Sequence, residues 1–171
     1  MKDTHIIKKD GIVLECVAGV EKGPYHYKGC GLPNVILLGG YSVEDFEGEL
    51  HFSIEDLYGL HKTIGRVIVT TASSLSPDEI RFLRNEMNLT QYELGCLMGV
   101  SSQAVARYEK GITGIGGPAE RLLRMFYLDH LEENIDVVDF AEYLTQLDDT
   151  VSENIALEFD GEWSFKEAAC G

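Results

Sequence analysis

The chain has 171 residues, 44% of them apolar and 25% charged, which is a globular composition with enough length to bury a core. Fourteen Lys and Arg stand against twenty-nine Asp and Glu, and the resulting net charge of −15, read as one number, argues against nucleic acid as a partner. The acidity is unevenly spread: residues 129–171 hold one basic and thirteen acidic groups, whereas residues 76–128 hold six of each. The middle of the chain can therefore still present its cations on one face, because phosphate contacts depend on local placement.

Charges interrupt every apolar run between Met1 and Val20, so these residues lack the core of a signal peptide, and no stretch is long enough to span a membrane. A cytoplasmic location is expected, with Cys16, Cys30, Cys96 and Cys170 as widely spaced thiols and no disulfide framework. Residues 1–54 read as short extended pieces, Gly11 to Ala18, Tyr25 to Lys28, Val35 to Leu38 and Glu49 to Ser53. Turns at Lys22-Gly23-Pro24, Leu32-Pro33-Asn34 and Gly39-Gly40 separate them, and a small twisted sheet is the economical arrangement. From Ser53 or Ile54 the period changes, with Leu57, Leu60, Ile64, Val67 and Ile68 on one helical face as far as about Val69. Thr70 to Ser76 is then a linker.

Helix signals sharpen beyond it. Ser76-Pro77-Asp78-Glu79 combines an N-cap Ser, a Pro at the first helical position and a Glu three residues after the cap, with Ile80, Leu83 and Met87 facing inward. Thr90-Gln91-Tyr92-Glu93 is a second capping box, with Leu94, Leu97 and Met98 behind it and Gly99 placed to end the helix. Ser101 caps a third helix, Ser102 to about Lys110, with Val105 and Tyr108 on its inner face. Pro118 opens a fourth, striped by Leu122, Leu123, Phe126, Tyr127 and His130, and Ile135 to Leu147 makes a fifth. In the tail, a three-residue loop from Asp160 to Glu162 pairs Phe159 with Trp163 and Leu157 with Phe165, which puts every large side chain on one side of a hairpin. The fold class is α+β: a small N-terminal sheet with one helix over residues 1–74, an all-α five-helix domain over 75–149, and an acidic hairpin tail over 150–171.

A helix-turn-helix needs a small residue where its helices cross, a Gly at the turn and apolar side chains behind the second helix. Gly95, Gly99, and Val100 with Val105 and Tyr108 meet these needs. The segment resembles the Cro/CI-type (XRE) family over about residues 76–128. That family usually has Ala where Gly95 stands, a departure that costs about 1 kcal/mol of helix propensity. Three longer stretches, Glu79 to Gln91, Val105 to Gly111 and Gly117 to Arg124, are similar to the C-terminal half of MqsA-type (YgiT-like) antitoxin regulators. The resemblance implies a helical half that binds operator DNA as a dimer and an N-terminal half that carries zinc and meets a toxin. The paired Cys-x-x-Cys motifs of that zinc half are absent, since Cys16 and Cys30 stand alone.

On the third helix, Ser101, Ser102 and Gln103 occupy the first turn, the end that enters the major groove. Gln103 can pair with adenine in bidentate fashion, and Arg107, one turn later on the same face, can reach guanine or a phosphate. Gln91 is expected against the DNA backbone, with Lys110 and Arg84 as phosphate contacts. The alternative for Gln103 and Arg107 is an ordinary solvated helix face. Glu109 is expected to partner a nearby cation, and Arg121 and Arg124 to contact DNA or to neutralise the acidic tail. Leu123, Phe126, Tyr127, Val138, Ala141 and Leu144 form the expected homodimer interface, in keeping with the two-fold operators such modules bind.

No catalytic site, metal or cofactor is expected, because His26, Cys30, Cys16 and His51 offer one i,i+4 pairing where a structural zinc wants four ligands in close pairs. Cys30 with His26 or His61 lacks any orienting or oxyanion motif, and His61 reads as the edge of an apolar face. The expected function is that of a dimeric transcriptional repressor, with double-stranded DNA as partner. An antitoxin-type module that neutralises a toxin through the N-terminal domain and a small-molecule-responsive regulator are the two alternatives.

Overall fold

Gly, Pro and Asn residues cut the first part of the chain into strands too short to leave the sheet before the next turn. The computed structural model describes residues 4–9, 12–17, 20–46, 49–71, 74–132, 136–146 and 154–166. β1 (Thr4–Lys9), β2 (Ile12–Val17) and β3 (Val20–Lys22) form an antiparallel meander. β4 (Tyr25–His26) pairs antiparallel with β5 (Val35–Leu37), and β6 (Tyr41–Phe46) with β7 (Glu49–Ile54). All four expected extended pieces contain strands, while β1, β3 and β6 lie outside them.

Two compact units divide the chain, residues 1–29, 33–63 and 153–171 in one and residues 30–32 and 64–152 in the other. In the first unit, β5 pairs in parallel with β8 (Ile155–Phe159), which pairs antiparallel with β9 (Trp163–Lys166), to give the order β4-β5-β8-β9. The Ile155 N–H donates to the Asn34 carbonyl at 2.9 Å and the Leu38 N–H to that of Leu157 at 2.7 Å, extending the parallel ladder at both ends. Val35, Leu37, Ile155 and Leu157 are buried along this seam. A parallel pair needs a long crossover, and here the crossover contains β6, β7 and every helix among the described residues.

The β8–β9 hairpin has the expected register, with Phe159 opposite Trp163 and Leu157 opposite Phe165 around the loop 160–162. It is therefore part of the first unit's sheet and no separate tail. The Trp163 indole N–H donates to the carbonyls of Glu55 at 2.9 Å and Asp56 at 3.1 Å, and its ring lies 5.2 Å from that of Phe159. Gly40, at φ +72°, lies against the Phe159 Cβ and the Trp163 ring, where a Cβ would overlap both side chains. On the other strands the Tyr25 ring stacks on Phe52 and meets Tyr41 at a tilt, with centroids 5.2 and 5.1 Å away.

The helix expected from Ser53 or Ile54 begins later, because Asp56 at φ +39° accepts the Gly59 N–H at 3.0 Å and caps α1 (Leu57–Thr71). Leu57 consequently stays exposed, off the apolar face assigned to it. The division between units falls inside α1, between Thr63 and Ile64, and not in the 70–76 linker. The cause is that Ile64, Val67, Ile68 and Val69 are buried with the helical unit.

That unit continues with α2 (Pro77–Glu86), α3 (Gln91–Met98), α4 (Ser102–Glu109), α5 (Gly117–His130) and α6 (Val137–Gln146), the five helices the sequence implies. Ser76 and Thr90 each close a complete capping box: each hydroxyl accepts an N–H from the Glu three residues on, and each Glu accepts the cap N–H at 2.7 Å. Ile80, Phe82, Leu83, Leu94, Met98, Val105, Leu123, Tyr127 and Leu128 fill the core. Leu97 and Met87 are not in it; Leu97 is exposed on α3, and Met87 is the half-buried C-cap of α2.

Gly65 of α1 lies so close to the buried Tyr127 that a Cβ there would overlap the phenol. Arg124, 1% exposed, turns inward and not toward any acidic tail. Its Nη1 donates to the carbonyls of Ile68 at 3.2 Å and Val69 at 2.9 Å, while Nε and Nη2 hold Glu120 at 3.2 and 2.6 Å. The last turn of α1 contains no basic residue, and Arg124 supplies the positive charge its carbonyls favour.

Candidate nucleic-acid interface

α3 and α4 meet at a turn whose geometry two glycines allow. Gly99 takes the left-handed conformation, φ +70° and ψ 28°, that ends α3. Gly95 faces the turn itself; a Cβ on it would lie 2.7 Å from the Val100 carbonyl oxygen and 3.3 Å from the Ser102 nitrogen. An alanine at this position would press on main chain and not on a movable side chain, so Gly brings the two helices closer than Ala would. Ser101 then caps α4 by accepting the Ala104 N–H at 3.2 Å.

α4 has one buried and one open face. Val105 and Glu109 are buried, at 0% and 3% exposure, while Ser101, Gln103, Arg107 and Lys110 are exposed and Ser102 is half-buried. Gln103 and Arg107 are four residues apart and project from the same side of the helix. Neither has a side-chain partner among the described residues, so their donors and acceptors are open to a ligand. At the N-terminus of α4 the helix dipole is positive, which favours phosphate near Ser101 and Ser102.

The remaining expected DNA contacts are differently placed. Arg84 grips Glu109 in a bidentate ion pair, Nε to Oε1 at 2.5 Å and Nη2 to Oε2 at 3.2 Å, and donates from Nη1 to the Leu89 carbonyl at 2.9 Å. Gln91 donates from Nε2 to the same Glu109 Oε2 at 2.8 Å. A carboxylate only accepts, so the amide nitrogen of Gln91 must face inward and its Oε1 outward. Glu109 thus has the cation partner the sequence implied, and that partner is a residue assigned there to phosphate. Arg81, which is not among the DNA contacts expected from the sequence, donates from Nη2 to the main-chain carbonyl of Glu109 at 2.6 Å and from Nη1 to Asp78 at 3.2 Å. Its spacing of three from both Asp78 and Arg84 was the visible signal; the partner 28 residues away was not.

Around α3 the Thr90 N–H and hydroxyl hold the Glu93 carboxyl below the usual carboxylate range, keeping it charged in the cap. The Tyr92 hydroxyl is pushed up by its hydrogen bond to Cys96. Both groups lie on the exposed side of the helix.

Of the expected dimer residues, Leu123 and Tyr127 are buried within the helical unit itself. Phe126 and Leu144 are half-buried, Val138 is 65% exposed, and the Ala141 side chain lies outside the described residues. In the N-terminal region, the His26 imidazole bonds the Pro33 carbonyl, and Tyr27 bonds His61 at 2.9 Å, so His61 is a polar partner as well as the edge of a helix face. Burial pushes the Cys30 thiol up, which suppresses its thiolate at neutral pH. Among the described residues no three His, Cys, Asp or Glu side chains gather as metal ligands, and no helix is long and apolar enough to cross a membrane.

Comparison with protein families agrees with this geometry: a family described as helix-turn-helix matches residues 80–118, from α2 to the start of α5. Residues 80–118 are thus similar to helix-turn-helix domains of the XRE type. Domains of this family are regulatory and bind DNA, and the match supports a DNA-binding transcription regulator. No curated protein and no solved structure matches the chain.

Proposed function

We propose that the protein is a sequence-specific DNA-binding transcriptional regulator, a homodimeric repressor that reads the major groove with α4. The observation that carries this reading is the free outer face of that helix, where Gln103 and Arg107 stand one turn apart on a backbone anchored from behind by Val105 and Glu109. In this reading Gln103 contacts adenine, Arg107 contacts guanine or a phosphate, and Ser101, Ser102 and Lys110 contact the sugar-phosphate backbone. Arg84 and Gln91 act from the second layer, by holding Glu109. The acidic last quarter of the chain lowers attraction to DNA in general and leaves more of the binding to specific contacts.

The homodimer is assigned to the side chains still open for it, Val138, Phe126 and Leu144. Sedimentation with and without DNA checks this part, and a monomer at micromolar concentration under both conditions rejects it. The main test is binding to the DNA upstream of the protein's own gene, as a salt series, for the wild type and for Gln103→Ala with Arg107→Ala. Saturable binding that weakens steeply with salt and disappears in the double variant supports the reading. Binding no tighter than to random DNA overturns it.

A further inference from the structure

We propose that Arg81 is a positioning residue for DNA recognition, one that sets the C-terminal end of α4 without touching DNA. The proposal rests on α4 being the reading helix. That helix has only eight residues, Ser102–Glu109, and Arg107 sits in its last turn. A tilt of this end moves the Arg107 guanidinium relative to a base edge, where hydrogen bonds tolerate errors of a few tenths of an ångström.

The last carbonyls of a helix have no partner inside it. In α4 the chain that follows takes two of them, through the Ile112 N–H on Arg107 at 2.9 Å and the Gly111 N–H on Tyr108 at 3.0 Å. The carbonyl of Glu109 is taken from outside the segment, by Arg81 Nη2 at 2.6 Å. The same residue's carboxylate is held by Arg84, one turn further along α2. Main chain and side chain of Glu109 are thus gripped by two arginines of one helix, and α2 becomes a jig for the end of α4. Asp78 holds the other arm of the fork at 3.2 Å and orients the guanidinium along this line. A lysine offers one nitrogen where Arg81 uses two, and cannot reproduce this planar fork.

Arg81 is 46% exposed, so a direct phosphate contact is the competing role, and the two roles differ in what salt does. Removing a phosphate contact lowers the slope of log affinity against log salt by about 0.9; removing a positioning residue lowers affinity and leaves the slope alone. The experiment measures operator and random-DNA binding across a salt series for the full chain carrying Arg81→Gln, Arg81→Lys or Asp78→Asn, with Arg107→Ala as control. Amide hydrogen exchange of Gly111 and Ile112 is followed in parallel.

Arg81→Gln is expected to weaken operator binding about tenfold, within the range that one base contact discriminates, with an unchanged salt slope, unchanged random-DNA binding and faster exchange at Gly111 and Ile112. Arg81→Lys gives little rescue. Asp78→Asn, which keeps the cation and spares the fold, weakens binding in the same direction by a smaller factor. Operator binding by Arg81→Gln equal to wild type overturns the proposal, as does a reduced slope or tighter binding by Asp78→Asn, both of which mark a phosphate contact. Arg107→Ala separates the failures: its loss of binding upholds α4 as the reader whatever Arg81 does, and a wild type with no operator preference overturns both readings together.

Discussion

The two units of the chain are held by different means. Among the described residues, the buried charged side chains, Glu109 and Arg124, both belong to the helical unit, where each ties together elements that apolar packing alone would leave free to slide. The α+β unit relies on strand register and ring packing: a parallel seam between distant segments, and a tryptophan anchored to two carbonyls. Leu and Val surfaces can slip along one another at small cost, whereas an arginine fork has one productive place, which suits the role proposed for α4 of presenting two side chains to a base edge. A sheet needs no such device, since a one-residue slip already exposes its whole buried face.

Substitutions can break each half of this contrast separately. The largest effect is expected from Trp163→Ala, which removes a buried indole and both of its hydrogen bonds, at about 4 kcal/mol. Hydrogen exchange should then show β8 amides deprotected while α4 amides keep their protection; equal loss in both would erase the distinction. Glu109→Ala leaves the half-buried Arg84 without its carboxylate partner and should cost about 3 kcal/mol, read from the denaturant midpoint of helical signal by circular dichroism. Gly65→Ala drives a methyl into Tyr127, which has no room to swing, for about 2 kcal/mol by the same measurement. Ser76→Ala removes one half of a capping box and should cost about 1 kcal/mol, seen as faster exchange at the Glu79 amide.

The smallest effect is that of pH on Glu93. Its folded-state pKa is lowered, so its contribution is present above the unfolded value and lost as pH falls through the folded one. A carboxyl titration by NMR should place its midpoint below that of a free glutamate. An unshifted midpoint would remove the charge from the account of how α3 begins.

Much of the helical unit was legible because its signals are local. Ser76, Thr90 and Ser101 name helix starts within four residues of sequence, and the 160–162 loop is the choice that gathers Phe159, Trp163, Leu157 and Phe165 on one side. Leu57 and Leu97 were misplaced because periodicity gives a face without saying whether anything covers it. The parallel pairing of β5 with β8 was unreadable for a further reason: nothing in Val35-Ile-Leu37 specifies a partner across the entire helical unit. At the interface, the exposed pattern of Gln103 and Arg107 followed from helix geometry. The roles of Arg84 and Gln91 did not, because an arginine or glutamine at those positions serves equally well outward on phosphate or inward on a carboxylate. Burial of Glu109 decides between them, and burial is a property of the assembled unit.

The seam between β5 and β8 also imposes an order of events on the newborn chain. Residues 155–166 leave the ribosome after α1 to α6 have been made, so the helix-turn-helix can close around its local caps while the sheet still lacks half of its four-stranded array. Until then β5 exposes an open edge, the kind of surface on which growing chains adhere to one another. Closure of this sheet is therefore timed by β8 and β9: a polypeptide interrupted before residue 154 carries a finished helix-turn-helix on an unfinished sheet.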